Sequence, residues 1–257
     1  MNILEEIVAA KRIEVSNRMT LSPLGELRGT CFDLPEPPSF QQVFQGPDMG
    51  IIAEVKRRSP SAGILRDPFE PAEIAKAYEA GSAGAISVLM DEAYFGGGED
   101  HFKHVRAAVN LPLLYKEFVI DPWQVWHARS LGASAILLIA AVLPDAEINE
   151  LMNESKKAGL AVLLEVHDEE ELDRAIHLKA PVIGINNRDL KTFHTTVDTT
   201  LRLAEKIPEE TILISESGIR SAEDLKRLSS VGVRGVLVGE HFLRQPNLKE
   251  AVESLRG

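Results

Sequence analysis

Ile51-Ile-Ala-Glu-Val-Lys-Arg-Arg-Ser-Pro-Ser-Ala-Gly63 opens as an apolar strand, then sets two ionisable side chains where a buried strand should stay apolar. Glu54 and Lys56 stand two apart, so on a strand they project to the same face. A carboxylate and an ammonium are costly to bury unless each is paired or does chemistry. Taken alone, the pair reads equally well as a solvated strand end with an incidental ion pair. The deciding question is whether other strands end the same way.

Working outward, strand-like runs recur at 50–56, 84–89, 112–116, 134–139, 160–166, 182–186, 211–215 and 234–238. Helix-like segments lie between and after them, at about 71–80, 99–109, 122–131, 145–158, 168–178, 197–206, 221–230 and 246–255. Asp121-Pro122, Pro144-Asp145, Asp168 ahead of Glu170 and Glu171, and Ser221 ahead of Asp224 are helix starts. Gly81, Gly132, Gly159 and Gly232 mark helix ends. Gly81-Ser-Ala-Gly-Ala-Ile, Gly132-Ala-Ser-Ala-Ile-Leu and Gly232-Val-Arg-Gly-Val-Leu reuse one helix-to-strand junction. Repeated strand–helix units with strands apolar throughout predict an α/β chain folded as a (β/α)8 TIM barrel. The competing open doubly wound sheet would need a Gly-rich phosphate turn, and neither G-x-G-x-x-G nor G-x-x-x-x-G-K occurs. Gly96-Gly97-Gly98 lacks both spacings and reads as a loop.

Before the barrel, residues 3–18 read as an amphipathic helix, with Ile3, Leu4, Ile7, Val8 and Val15 on one side and charges on the other. Pro23 and Pro35-Glu-Pro-Pro38 break regularity ahead of a short turn or helix around Ser39–Gln45. Residues 1–48 are thus expected to be an N-terminal helical extension packed on one barrel domain, because one helix cannot bury its own stripe.

The 257 residues suit a single barrel, and 44% apolar with 26% charged residues is an ordinary globular composition. Lys plus Arg at 28 against Asp plus Glu at 39 gives a net charge of −11, which argues against nucleic-acid or anionic-membrane partners. Met1–Thr20 has no apolar core segment and does not read as a signal peptide. The longest apolar run, Ala133–Leu143, falls well short of the ~20 residues a membrane helix needs. Cys31 is the only cysteine, which agrees with a reducing cytoplasm, and it is expected to be inert. Nothing fixes the oligomeric state; a monomer is the simplest expectation.

In such a barrel, chemistry sits at the C-terminal ends of the strands. Polar residues do interrupt the strands there: Glu54 and Lys56 on the first, Lys116 on the third, Glu165 on the fifth, Asn186 and Arg188 on the sixth, and Glu216 on the seventh. Each alone could be a solvated strand end; five at the same end of the barrel argue for a site. Carboxylates and lysines in one partly dry mouth push their pKa values apart, as acid and base roles require. Ser217-Gly218-Ile219 and Val238-Gly239-Glu240 fall where these barrels bind phosphate, although turn glycines would look the same. His101 and His104 stand at i, i+3 with no third ligand nearby, His127, His167, His177, His194 and His241 are scattered, and no metal site is expected. No G-x-S-x-G elbow occurs.

At Ile52-Ala-Glu-Val-Lys-Arg-Arg-Ser-Pro-Ser61, Leu113-Leu-Tyr-Lys-Glu-Phe118, Leu164-Glu-Val-His167, Ile183-Gly-Ile-Asn-Asn-Arg-Asp-Leu190 and Ser215-Glu-Ser-Gly-Ile219, the chain resembles the indole-3-glycerol phosphate synthases. The resemblance spans essentially the whole chain. It implies closure of 1-(o-carboxyphenylamino)-1-deoxyribulose 5-phosphate to an indole, with loss of CO2 and water and no cofactor. It casts Lys116 as the acid on the ribulose carbonyl and Glu165 as the acid/base group of ring closure and dehydration. Lys56 would hold the substrate carboxylate or serve as a second acid, tuned by Glu54 and Glu216. Asn186 and Arg188 would orient the substrate, Phe118, Leu190 and Leu237 would line it, and Ser59, Ser217, Gly218 and Gly239 would face the phosphate. Arg57–Gly63 would be a mobile loop over the mouth. One departure stands out: the family usually has one or two small hydroxyl residues after Gly239, where this chain has Glu240-His241, so Glu240 must point away.

Other readings remain at this point. Phosphoribosylanthranilate isomerases resemble a different pattern, with a cysteine ending the first strand. A Schiff-base aldolase would use Lys116 as nucleophile. An inert phosphate-ligand-binding barrel would have no need of two acids and a base.

Overall fold

The computed structural model describes residues 3–189, 192 and 194–256. Strand β1 (Gly50–Val55) leads into a hairpin of β2 (Arg58–Ser59) and β3 (Gly63–Ile64). Then follow β4 (Ala85–Leu89), β5 (Leu113–Lys116), β6 (Ala135–Ile139), β7 (Ala161–Val166), β8 (Val182–Asn186), β9 (Ile212–Glu216) and β10 (Gly235–Val238). Leaving the hairpin aside, they close into a parallel barrel in the order β1-β10-β9-β8-β7-β6-β5-β4. The helices are α1 (Ile3–Leu21), α2 (Leu24–Cys31), α3 (Pro71–Ala80), α4 (Glu92–Phe95), α5 (Glu99–Ala108) and α6 (Pro122–Ser130). They continue as α7 (Asp145–Lys157), α8 (Glu169–His177), α9 (Asp198–Leu203), α10 (Ala222–Ser229), α11 (Glu240–Leu243) and α12 (Leu248–Arg256). Each expected strand run contains a barrel strand, as the pattern predicts. No helix among the described residues is long and apolar enough to cross a membrane.

Strand alternation sorts the side chains into two cores. Ile51, Ala53 and Val55 face outward into the layer between strands and helices, as do Leu113 and Tyr115 or Leu164 and Val166. Ile52, Ala85, Leu114, Leu137, Leu163, Val182, Ile214 and Leu237 face inward and fill the barrel. Two residues beyond Ile52, Leu114, Leu163 and Ile214 the same series reach Glu54, Lys116, Glu165 and Glu216 at the C-terminal rim. The same alternation that fills the barrel therefore places the chemistry.

The other end of the barrel is plugged by the extension. Phe40 and Phe44, from a 3-10 turn at Gln41–Phe44, join the interior core and meet edge to face at 5.3 Å. Phe44 fits because Gly50 and Gly235 face each other in register across β1 and β10. A Cβ on Gly235 would lie 2.6 Å from the Phe44 ring. Arg234 clamps the turn by donating to the carbonyls of Phe44 and Gly46 at 3.2 and 2.9 Å.

The structure departs from the sequence expectation in the extension and in one barrel helix. Helix α1 runs on to Leu21, and Lys11, assigned to its charged face, is instead buried between Ile7 and Val15. Spacings of four put all three on one stripe, and carboxylates from the barrel meet the ammonium there. Helix α2 forms between Pro23 and Pro35, where the prolines argued for irregular chain, because tertiary packing against α6 overrides propensity. Cys31 is buried there, its thiol pushed up by burial. The segment expected as one helix at 197–206 is α9 followed by a 3-10 turn at Ala204–Lys206.

Helix starts follow the expected residues. Asp121 accepts from Trp123 N–H at 2.7 Å, Asp168 from Glu171 N–H at 2.9 Å, and Ser221 with Asp224 forms a capping box. At the α3 end, Ser82 rather than Gly81 takes the left-handed conformation, with φ 67°. Gly81 serves close packing instead: a Cβ there would lie 2.8 Å from the Lys249 carbonyl of α12.

Candidate active site

Lys116, at the end of β5, lies within the barrel mouth with its Nζ 2.6 Å from Glu216 Oε2 and 3.3 Å from Glu165 Oε2. Glu54 and Lys56 pair with each other on β1 and the residue after it. Registers bring these strand ends level: Asn186 opposes Glu216, and Ile139 opposes Glu165. Glu54, Glu165 and Glu216 are each at most 5% exposed, so their charges must be compensated inside the site.

The compensation is unequal. Burial alone would lower Lys116, but Glu216, Glu165 and Glu54 outweigh it and hold the ammonium well above its usual range. Burial raises Glu54, and Lys56 followed by Lys116 more than reverse this, leaving it ionised. Burial also raises Glu165, but Lys116, His167 and Asn186 pull it well below the carboxylate range. Glu216 is raised by burial, Lys116 only partly offsets this, and the Glu165 charge adds to the rise. Of two carboxylates sharing one lysine, Glu165 keeps the charge and Glu216 more readily holds a proton. Such a Lys116 is loaded as a proton donor and is a poor imine-forming nucleophile, which disfavours the aldolase reading.

Asn186 accepts from the Arg188 backbone N–H at 3.1 Å. Arg188 donates to Ser61 Oγ at 3.1 Å and Thr195 Oγ1 at 3.4 Å, and its guanidinium lies 3.7 Å from Glu240 Oε2. It thus ties the β2–β3 hairpin to the loop after β8. Arg57–Gly63, expected as a mobile loop over the mouth, forms most of this hairpin, and Arg58 anchors it on the carbonyls of Glu92 and Ala93. Arg244, just past the short helix that Glu240 opens, holds Glu240 Oε1 at 3.0 Å, while Oε2 reaches toward Arg188.

Ser217 and Gly218 take left-handed conformations in succession, φ 66° and 81°. Asn187 fixes this turn from behind, donating to the Ser217 carbonyl and Ser215 Oγ at 2.9 Å each, while its Oδ1 accepts from Thr200. A Cβ at Gly239 would press on the Glu54 side chain, so glycine there leaves the carboxylate its place beside Lys56. Ser59 is buried, its Oγ accepting from Ala62 N–H at 3.1 Å within the hairpin, which leaves its own proton for another acceptor. Leu237 lies in the barrel core, and Phe118 packs on it, with Phe95 6.3 Å away, centroid to centroid. Leu190 lies outside the described residues.

Three contributors escaped the sequence reading. His167, grouped with the scattered histidines, has Nε2 3.2 Å from Glu165 Oε1 and Nδ1 3.2 Å from Glu171 Oε2. Burial opposes its charge, but the two glutamates raise it to about 10. Its position two residues beyond Glu165 was the available signal. Asn187 faces away from Asn186 by strand alternation, the one signal that could have found it as a brace. Phe95 sits in no periodic pattern, and only the glycines after it hinted at a chain turning back.

A family model described as indole-3-glycerol phosphate synthase matches residues 4–255. An indole-3-glycerol phosphate synthase of Acidithiobacillus ferrooxidans is 46% identical, over 99% of this chain and 98% of its own. That of Rhodospirillum rubrum is 44% identical over 100% and 99%, and that of Albidiferax ferrireducens 43% over 96% and 95%. Among solved structures, a thiamine phosphate pyrophosphorylase from Pyrococcus furiosus superposes with a TM-score of 0.61 at 15% identity. It covers 81% of this chain and 94% of its own, a likeness of fold alone. With matches along its whole length and a barrel mouth built from the residues that carry the resemblance, the chain belongs to the indole-3-glycerol phosphate synthase family.

Proposed function

We propose that this chain closes 1-(o-carboxyphenylamino)-1-deoxyribulose 5-phosphate to indole-3-glycerol phosphate, releasing CO2 and water, as a step of tryptophan biosynthesis. The observation that carries the reading is Lys116, held charged between Glu165 and Glu216 in the barrel mouth. As the ring carbon bearing the carboxylate attacks the ribulose ketone, its oxygen becomes an alkoxide more basic than an amine. An ammonium with a raised pKa can protonate that oxygen, and its charge favours the transition state over the ketone. Loss of CO2 then restores the aromatic ring. Loss of the new hydroxyl as water, with Glu165 accepting a proton and an acid nearby supplying one, completes the indole.

The remaining roles follow from placement. Lys56, neutralised by Glu54 until substrate arrives, holds the substrate carboxylate or acts as the second acid. Asn186 and Arg188 orient the substrate between the loops they join, and Glu216 sets the charge on Lys116. Phe118 and Leu237, with Phe95, line the aryl end. Ser217, Gly218, Gly239 and Ser59 face the phosphate, the glycines letting backbone amides approach it. The substrate is a phosphorylated small molecule, and no step requires a metal or redox cofactor. Adding it to purified protein should produce indole fluorescence; folded wild-type protein that yields no indole product would remove the assignment.

A further inference from the structure

We infer that Lys11, on the N-terminal helix, is a positioning residue for the aryl end of the site: its one buried ammonium holds Asp91 and Glu117, and through them the Phe95–Phe118 ring pair. This rests on the function proposed above. Lys11 is 2% exposed, with Nζ 2.6 Å from Glu14, 3.0 Å from Glu117 and 3.3 Å from Asp91. Asp91 and Glu117 follow the ends of β4 and β5, and both are buried.

Each divides its two oxygens the same way. Asp91 gives one to Lys11, and its Oδ1 accepts from Tyr94 N–H at 2.7 Å, capping the short helix that carries Phe95. Glu117 gives one to Lys11, and its Oε1 accepts from Phe118 N–H at 2.8 Å. The ammonium thus sits behind both rings, and Glu117 directly follows Lys116. Two buried carboxylates this close repel unless a cation lies between them, and even with Lys11 present burial pushes the Glu117 carboxyl up to about 7. Removing the cation would protonate or displace one carboxylate and release the backbone it holds.

The extension has other links to the barrel besides this contact. Arg18 pairs with Glu99 at 2.7 Å and lies over Trp123, Trp123 donates to the Ser22 carbonyl at 2.7 Å, and Arg129 holds the carbonyls of Leu34 and Pro35. Those links reach the outer helices; Lys11 reaches the strand ends.

The test compares full-length wild type, Lys11→Met and Lys11→Arg by kcat, KM and inhibition by inorganic phosphate, with circular dichroism to verify folding. Lys11→Met should lower kcat/KM by ~10-fold, mostly through KM, with phosphate inhibition unchanged and Lys11→Arg largely restoring it. Unchanged kcat/KM, or equal weakening toward phosphate, would overturn the inference. Should Lys11→Met not fold, Glu117→Gln probes the same link, since its amide oxygen can still accept from Phe118 N–H without the charge. It should raise KM in the same direction, and an unaltered KM would count against Lys11. Wild-type turnover separately tests the reaction itself, so failure of one reading is distinguishable from failure of the other.

Discussion

Lys116 has two carboxylate partners of unequal character, and that inequality is what the chemistry would draw on. Lys116→Ala and Glu165→Gln are each expected to lower turnover by ~10²-fold or more with the fold intact, measured by indole formation and circular dichroism. Normal turnover in both would mean the roles lie elsewhere. His167 offers a test by pH. Its folded-state value is raised from 6.5 to about 10, so its stabilising contribution is fully present below 6.5 and is lost as pH rises through about 10. The thermal midpoint of His167→Gln should therefore lie furthest below wild type near pH 6 and approach it toward pH 10. A gap independent of pH would show that the imidazolium charge is not what stabilises. At this scale Glu54, Lys56, Lys116, Glu165 and Glu216 were legible because each breaks an apolar strand at its end. Lys11 was not: a lysine on an amphipathic helix looks solvated, and its partner Glu117 lies 106 positions away.

Among the elements, the 3-10 turn at Gln41–Phe44 carries more of the fold than its length suggests. Phe44→Ala should cost about 3–5 kcal/mol in denaturant unfolding, because the ring fills the barrel end and little else can collapse into the space. Gly235→Ala should also destabilise, since its methyl would press on that ring, and Phe44→Leu in the same chain should recover part of the loss. Additive losses would mean the two positions do not share the space. The turn itself was foreseen around Ser39–Gln45. That it plugs the barrel was not, because nothing local distinguishes a plugging phenylalanine from one packed on the outside. Helix α2 was missed for a related reason: its stability comes from α6 rather than from its own residues.

In the whole molecule, one period of two serves both packing and chemistry. The barrel was legible because apolar strand runs and capped helices alternate over most of the chain, and the inward series Ile52, Glu54 and Ile214, Glu216 follow from that period. Loop-borne parts such as Phe95 and the β2–β3 hairpin obey no period and needed the folded chain to be placed. Alternation also limits how this protein can vary in length. One residue inserted between Ile52 and Ala53 would point Glu54 at the surrounding helices and Ala53 into the mouth, removing core and site together. A residue inserted in a connection, between Asp33 and Leu34 ahead of the first strand for example, shifts no strand's facing. Solubility and turnover of two such single-alanine insertions should separate sharply, the first lost in both and the second keeping both. Changes of length in this architecture are confined to its connections, while the strands can change only by substitution.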